Sequence, residues 1–434
     1  MKLFKAILCV LAVMLLFSGC SMHLYSSVDD LISPVSPFGE NADIKKALDS
    51  YAQNGYSLKA VGSGEFISSY NFYDLNGDGT DEAITFYEPS DNLGTVDMAV
   101  IQKKNEEWMV VENIHGEGKE VDSLSFEDLD GDGKTEIFVS WNVIANSSNH
   151  ELSIYHFDET EESASLVKLD DSKTVNNFIV ADFFGKGDKN LLLLEINTGN
   201  TQVNKAELFS LSGETLEKLG ETKLDAHVSS YVKLTVETAE DGDRVYADGL
   251  GTDGTSMLTE IISWSRHYDT IISAFYQYDT AVTEETRRNL PVQSMDIDDD
   301  GIVDVPIEFS YTDYDSDITL FDFSVYKNYV LMHNVYALYC QRDGYLVKVP
   351  DEIVSNISAE YDTEQHEMTV INNETEQTLF RIMPVLKATY SADKYPDYTV
   401  ISEEKGYCYL AAEGDDETLH MTAGDLKNMI LVAE

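Results

Sequence analysis

The chain has 434 residues, of which 79 are Asp or Glu and only 29 are Lys or Arg, giving a formal charge of −50. A field of that sign opposes nucleic acid and anionic lipid surfaces, which are themselves negative. A hydrophobic content of 43% with 11% aromatics is that of a folded protein, and the length suits two domains.

Residues 1–20 read as a targeting segment. Lys2 and Lys5 form a basic start, and Ala6–Phe17 is an apolar stretch too short to span a membrane. Phe17-Ser18-Gly19-Cys20 resembles a lipobox, which implies cleavage before Cys20 and diacylation of its sulfur. An ordinary secretory signal or an uncleaved anchor are the alternatives. On the lipobox reading the protein sits outside the cell membrane, held there by its lipid. Residues 21–59 hold a Ser/Pro/Gly tether and a helix. Asn41 is the expected cap, Ile44, Ala47, Leu48 and Tyr51 form one apolar face, and Gly55 is the expected stop.

An acidic nonapeptide then recurs. The first copy is Asp74-Leu-Asn76-Gly-Asp78-Gly79-Thr80-Asp81-Glu82, and the second is Asp128-Leu-Asp130-Gly-Asp132-Gly133-Lys134-Thr135-Glu136. A third strong copy is Asp296-Ile-Asp298-Asp-Asp300-Gly301-Ile302-Val303-Asp304. Ca2+ is a hard cation that takes 6–8 oxygens at roughly 2.3–2.6 Å in flexible geometry. A short loop can supply them from side chains at positions 1, 3, 5 and 9 and the backbone carbonyl of position 7. The expected ligands are Asp74, Asn76, Asp78, the Thr80 carbonyl and Glu82, then Asp128, Asp130, Asp132, the Lys134 carbonyl and Glu136. The last set is Asp296, Asp298, Asp300, the Ile302 carbonyl and Asp304. Glycine at position 6 permits a turn that a Cβ would resist. An EF-hand would need flanking helices and a later Glu; the flanks here alternate like strands. Mg2+ is disfavoured because it demands a rigid octahedron and keeps its waters.

The copies are in phase. Fifty-four residues separate the first two, and another 54 lead to Asp182-Phe-Phe184-Gly-Lys186-Gly187-Asp-Lys-Asn190. There Lys186 replaces a ligand carboxylate, so its ammonium is expected to exclude a cation and bond the carbonyls in its place. A further 55 residues lead to Glu237-Thr-Ala239-Glu-Asp241-Gly242, which is expected to be empty, and 59 more reach Asp296. This is a repeat array of five units. Each unit carries four short strand signals: in unit two Asp122–Glu127, Thr135–Val143, His150–Phe157 and Ala164–Leu169. Unit three gives Asn176–Asp182, Asn190–Ile196, Gln202–Leu211 and Thr215–Lys223. The class is mainly β. Four strands per repeat, with the acidic loop between the first two, is the order of a β-propeller blade. A sandwich or barrel of about twenty strands is the alternative.

These loops, their position and their period resemble the FG-GAP/VCBS repeats of integrin-type β-propellers. The whole resembles VCBS-repeat lipoproteins of Gram-positive bacteria. The resemblance spans residues 60–345 and implies a propeller of about five four-stranded blades with calcium loops. Such propellers often have seven blades, so closure of the ring is open.

Residues 346–434 read as a small α+β domain. Asp343-Gly344 is a hairpin turn between Tyr336–Cys340 and Tyr345–Val349. Met368–Ile371 and Thr378–Pro384 make a second hairpin, and Gly406–Ala412 is a strand. Thr422 is expected to cap a last helix with Asp425 as its reciprocal partner, and Leu426, Met429, Ile430 and Ala433 as its apolar stripe. Once Cys9 leaves and Cys20 is lipidated, Cys340 and Cys408 remain, either as a disulfide or as separate thiols.

Catalytic patterns are scarce. Gly249-Leu-Gly251-Thr-Asp-Gly254 matches GxGxxG, but a strand-like run follows it rather than a helix. There is no HExxH and no GxSxG. Trp108, Trp141 and Trp264 suit core packing better than sugar stacking. The expected function is therefore a non-enzymatic, lipid-anchored surface protein. Its propeller, stabilised by about three Ca2+, presents loops to a protein or glycan. The alternative is a cell-envelope glycan hydrolase with a carboxylate pair at the propeller axis. A third reading is a structural spacer whose C-terminal domain does the binding.

Overall fold

The computed structural model describes residues 39–144, 147–160, 163–197, 203–309 and 314–432. The signal segment, Cys20 and most of the tether lie outside these residues. No helix among the described residues is long and apolar enough to cross a membrane.

The chain is mainly β. Its strands form successive antiparallel sheets, numbered here in chain order. In sheet 1, Tyr56–Lys59 and Asn71–Tyr73 lie along the same edge of Glu82–Pro89, followed by Asp97–Lys104 and Glu107–His115. Sheet 2 runs Glu120–Glu127, Glu136–Asn142, His150–Glu159 and Ala164–Val175. Sheet 3 runs Asn177–Ala181, Asn190–Glu195, Lys205–Ser212 and Thr215–Lys223, and sheet 4 runs Val228–Glu237, Arg244–Gly251, Met257–Ser265 and Thr270–Ser273. The four-strand periodicity in units two and three thus falls on real meanders. Val61–Ser63 pairs in parallel with Glu120–Glu127, so the segment before the first acidic loop stitches sheet 1 to sheet 2.

Packing explains why the second strands read as almost unbroken apolar runs. Glu82–Tyr87, Glu136–Trp141 and Asn190–Leu194 are buried throughout because a neighbour covers each face. The fourth strands, such as Glu107–His115 and Thr215–Lys223, sit at the rim and stay half exposed. Ile84, Phe86 and Met98 of sheet 1 meet Ile137, Val139 and Trp141 of sheet 2. Phe138 and Ile154 of sheet 2 meet Leu191 and Leu193 of sheet 3, and Leu192 and Leu208 meet Val245 and Leu258 of sheet 4. This face-to-face succession of meanders is propeller-like. Trp141 is core, wholly buried and edge-on to Phe86. Trp108 packs against Phe72, and Trp264 against Phe184.

The first helix covers the free face of sheet 1, seating Ile44 and Leu48 on Ala83, Tyr87, Ala99 and Ile101. It runs Glu40–Tyr51 with Gly39 at its N-cap. Asn41 therefore lies inside the first turn, not at the cap, and no side chain caps this end. Ala52 ends the helix, and Gly55 turns the chain afterwards with a left-handed φ of 87°.

Sheet 5 departs from the simple meander. It runs Asp304–Phe309, Ile318–Lys327, Val330–Cys340 and Tyr345–Val349, and the returning strand Ile430–Val432 completes it. Only an isolated bridge, Met295 to Asp304, stands where its first strand was expected. One face of this sheet meets sheet 4 through Val305 and Tyr326, and meets sheet 6 through Leu320 and Leu338. The other face, with Phe321 and Phe323, is covered by Val292 and Ile297 of the segment that connects sheets 4 and 5, residues 274–303. Sheet 6 orders Ile357–Asp362, Glu367–Asn372, Gln377–Leu386, Tyr407–Glu413 and Thr399–Glu404. Among the described residues no core cluster joins sheet 6 to sheet 1. Residue 346 falls within Tyr345–Val349, a strand paired on one side with Val330–Cys340 and on the other with Ile430–Val432. The Thr422/Asp425 capping box is present. Its helix is short, Ala423–Lys427, so Ile430 belongs to a strand rather than to the helical stripe. Cys340 and Cys408 are buried free thiols, and burial pushes Cys340 up to about 12.

A buried polar network ties the connecting segment to sheet 4. Glu260 accepts from the Asp225 N–H at 2.7 Å, from Thr283 Oγ1 at 3.1 Å and from Ser273 Oγ. Burial pushes its carboxyl up from about 4.5 to about 7. A carboxyl whose folded pKa exceeds its unfolded one favours the folded state when protonated. That contribution, roughly 3 kcal/mol, is complete below about pH 4 and is lost as pH rises through 7. Glu260→Gln should therefore flatten the decline in urea midpoint between pH 5 and 8. A variant whose profile parallels wild type would contradict this.

Candidate metal centres in the acidic loops

Each strong loop enters the second strand of its sheet, or in sheet 5 the edge strand, and position 9 is the first residue of that strand. The first carboxylate organises the turn. Asp74 accepts from the N–H groups of Asp78 and Gly79 at 3.1 and 2.9 Å, and Asp296 from those of Asp300 and Gly301 at 3.0 and 2.7 Å. Asp128 accepts from Gly131 and Gly133 at 2.8 and 3.0 Å. Asp78, Asp132 and Asp300 each hold the N–H two residues on, that of Thr80, Lys134 or Ile302, at 2.8 Å. Glycine at position 6 takes φ of 84–85° in all three loops, a left-handed value that a Cβ resists. Position 4 is left-handed too, at Gly77, Gly131 and Asp299, a requirement that spacing alone did not disclose.

Position 9 closes the loop from beneath. Glu82, Glu136 and Asp304 are almost wholly buried, and each accepts the N–H of position 2, from Leu75, Leu129 and Ile297, at 2.9, 2.7 and 3.1 Å. The oxygens of Asp128, Asp130 and Glu136 lie within 4.8 Å of one another, as do those of Asp296, Asp298 and Asp304. In the first loop Asn76 stands at position 3, and its amide donates to Glu159 at 2.8 Å and to Asp78 at 3.4 Å. The position-5 carboxylates lie outside the two close trios. Lys134 turns its ammonium outward to Asp158, 3.4 Å away.

Burial pushes Glu82 and Glu136 up to about 7 and Asp304 up to about 6, and the neighbouring loop carboxylates push the same way. Burying carboxylates beside one another is costly unless a cation or a proton joins them. The donor set is all oxygen, flexible and acidic, which fits a hard divalent ion of the Ca2+ kind.

The two degenerate loops replace an ion by other means. Asp182 still accepts from Lys186 and Gly187 N–H groups at 3.2 and 2.6 Å. Lys186 does not bond the loop carbonyls as expected; its ammonium lies over the Phe184 ring, 5.6 Å from the centroid. The fourth loop, expected to hold no ion, carries a cationic side chain instead. Arg244 bridges Glu237 at 2.6 Å and Asp241 at 3.3 Å, placing a guanidinium between the carboxylates of positions 1 and 5. The third and fourth loops also dock: Asp243 N–H donates to the Asp182 carbonyl at 2.8 Å, and Asp182 N–H to the Asp243 carboxylate at 2.9 Å.

Residues distant in sequence complete the surroundings. Gln102 donates to Glu82 at 3.2 Å and to Glu159 at 2.8 Å, and Lys104 pairs with Glu159 at 3.1 Å. At the last loop Asn334 donates to Asp304 at 2.9 Å and Asp298 at 3.3 Å. A register shift between Val330–Cys340 and its neighbour places it there. Only the bulge signals Asn334, and a bulge has no reliable sequence mark. The GxGxxG run ends the strand Arg244–Gly251 and begins the turn into Met257–Ser265, with no helix after it.

No family model matches the chain, and no curated protein does. Solved structures give loose overlaps. A hypothetical selenium-binding protein from Sulfolobus tokodaii aligns at 12% identity over 49% of this chain and 55% of its own, TM-score 0.32. A rhamnogalacturonan lyase of Bacillus licheniformis aligns at 15% identity over 74% and 71%, TM-score 0.28. The β-propeller domain of the Trilobed protease from Pyrococcus furiosus aligns at 11% identity over 73% and 77%, TM-score 0.26. The chain thus spans little more than half the length of the first of these. The fold rests on the sheet order and packing described above.

Proposed function

We propose that this chain is a non-enzymatic binding module, anchored by lipid at Cys20 outside the cell membrane. Its five repeats act as propeller blades, and its first, second and last acidic loops each hold one Ca2+. It offers its loops to a protein or glycan partner; its charge of −50 argues against nucleic acid. One observation carries the calcium reading. Three separate loops adopt one hydrogen-bonding scheme around a buried acidic position 9, while the fourth copy carries an arginine between its carboxylates. When bound, the ion would supply the positive charge that Arg244 supplies covalently. Asp74, Asn76, Asp78 and Glu82 would hold it in the first loop and Asp128, Asp130, Asp132 and Glu136 in the second. Asp296, Asp298, Asp300 and Asp304 would do so in the last, with the carbonyls of Thr80, Lys134 and Ile302.

Equilibrium dialysis of the full chain tests this. Three calcium ions per chain are expected, and Asp132→Lys should reduce the count to two while leaving the circular dichroism spectrum unchanged. A chain that retains no calcium, or a variant that still retains three, would overturn the assignment.

A further inference from the structure

Where the end of sheet 4 meets the hairpin of sheet 5, three tyrosines stand out of the surface. Tyr268, Tyr278 and Tyr329 are 68%, 70% and 68% exposed, and all three line one cavity of about 820 Å3. Exposed aromatics gathered on one wall are unusual on a surface with no partner. Each ring is also braced. His267 stands 4.7 Å from Tyr268 at 74°, Tyr276 stands 5.0 Å from Tyr278 at 89°, and Tyr326 stands 6.4 Å from Tyr329 at 90°. Edge-to-face contacts of this kind are the favoured geometry between rings. They hold the outer faces open while restricting the rotamers, so a ligand would lose little side-chain entropy on docking.

Tyr329 carries a further sign. It follows Asn328 in the two-residue turn between Ile318–Lys327 and Val330–Cys340, and both residues are left-handed, at φ 66° and 53°. Glycine is preferred in such turns, and a bulky side chain there is strained. The strain places an aromatic ring over the cavity where folding alone would favour glycine.

The lining decides the ligand class. Apart from the tyrosines it offers the hydroxyl residues Ser265, Thr270 and Ser273, together with His267, Ile272 and Ala274. No Asp, Glu, Lys or Arg among the described residues lines it, although a quarter of the chain is charged. A polyanion would find no cation here, and a basic peptide no carboxylate. An uncharged ring with an apolar C–H face and a rim of hydroxyls matches both features. Its C–H groups meet the negative faces of the tyrosine rings, and its hydroxyls meet the polar groups between them. Tyr278 also borders a second hollow of about 560 Å3, so the platform is open at one end to an extended chain; Lys205 at that hollow's edge is already paired with Glu195 and Glu207.

We infer that the cleft formed by Tyr268, Tyr278 and Tyr329 binds a neutral polysaccharide. The inference rests on the binding-module reading and specifies its ligand; it does not depend on the calcium loops. The test is native affinity electrophoresis of the full chain in gels containing galactomannan, xyloglucan or mixed-linkage β-glucan, with polygalacturonate and an octaproline peptide as comparisons. Wild type should be retarded by at least one neutral polysaccharide. Tyr278→Ala should weaken that retardation about tenfold, and the triple Ala variant should abolish it with an unchanged melting curve. Tyr329→Gly should lose retention without losing melting temperature, because glycine relieves the turn. Retardation that survives in the triple variant would overturn the cleft while leaving a binding role in place. Tyrosine-dependent capture of octaproline or polygalacturonate, with no neutral polysaccharide retarding the chain, would overturn the ligand class. Wild type retained by none of the probes would overturn the inference and count against the binding module as well.

Discussion

Transfer of the protein from millimolar calcium into a chelator is expected to lower its unfolding free energy by about 8 kcal/mol. Each occupied site stabilises the folded state by RT ln(1 + [Ca]/Kd), about 2.7 kcal/mol when calcium is a hundred times Kd, and three loops are involved. The effect should be graded, because the loops sit in different sheets: the first in sheet 1, the second in sheet 2, the last at the edge of sheet 5. On the calcium reading sheets 3 and 4 need no ion. Their loops are tied to each other by Asp182 and Asp243, and Arg244 neutralises the fourth. Hydrogen exchange in chelator should therefore rise first in the strands following Glu82, Glu136 and Asp304 and least in Asn190–Glu195 and Arg244–Gly251. Equal melting with and without calcium, or uniform exchange, would contradict the expectation.

Arg288→Met should cost about 3–5 kcal/mol, the penalty for breaking a buried ion pair by removing one partner. Arg288 is wholly buried, and so is Asp248, 2.9 Å from its Nη2. The guanidinium also donates to the carbonyls of Thr286 and Val292, at 2.9 and 2.5 Å, and to Thr259 Oγ1 at 3.1 Å. Asp248 would keep Thr259 Oγ1 and both donors of Ser294, but no positive charge. The loss would loosen, without releasing, the hold of the connecting segment on sheet 4, and with it the residues that cover Phe321 and Phe323. Asp248→Asn in the same chain should recover part of the loss, since it removes the stranded charge. Urea midpoints of the two single variants and the double variant measure it. A single variant within 1 kcal/mol of wild type would show that the pair is dispensable.

Much of this arrangement is legible in the sequence, for a physical reason. Within a nine-residue loop the contacts are local, so spacing alone brings Asp128, Asp130 and Glu136 together. The strands of units two and three were legible because burial on both faces writes itself as apolar runs. What was not legible depends on long-range register. Glu159 reaches Asn76 across 83 residues, and Asn334 reaches Asp304 only through a bulge. Arg244 stands at position 8 of loop four, which holds no ligand in the pattern, so spacing does not mark it as the group that meets Glu237 and Asp241. Asn41 is not the cap because the helix begins two residues earlier than that cap requires, at Glu40 with Gly39 before it.

The strand Ile430–Val432 has a bearing on biosynthesis. It pairs with Tyr345–Val349, some eighty residues back in the chain. During translation sheets 1 to 4 can consolidate one after another as they emerge, each on its predecessor. Sheet 5 cannot be finished until Ile430–Val432 has emerged and folded back, and for that interval Tyr345–Val349 presents a bare row of amides and carbonyls. Unpaired edges of this kind invite pairing with another chain. Nascent or prematurely stopped chains ending before residue 430 should consequently be the species that self-associate, through an edge that Ile430–Val432 conceals.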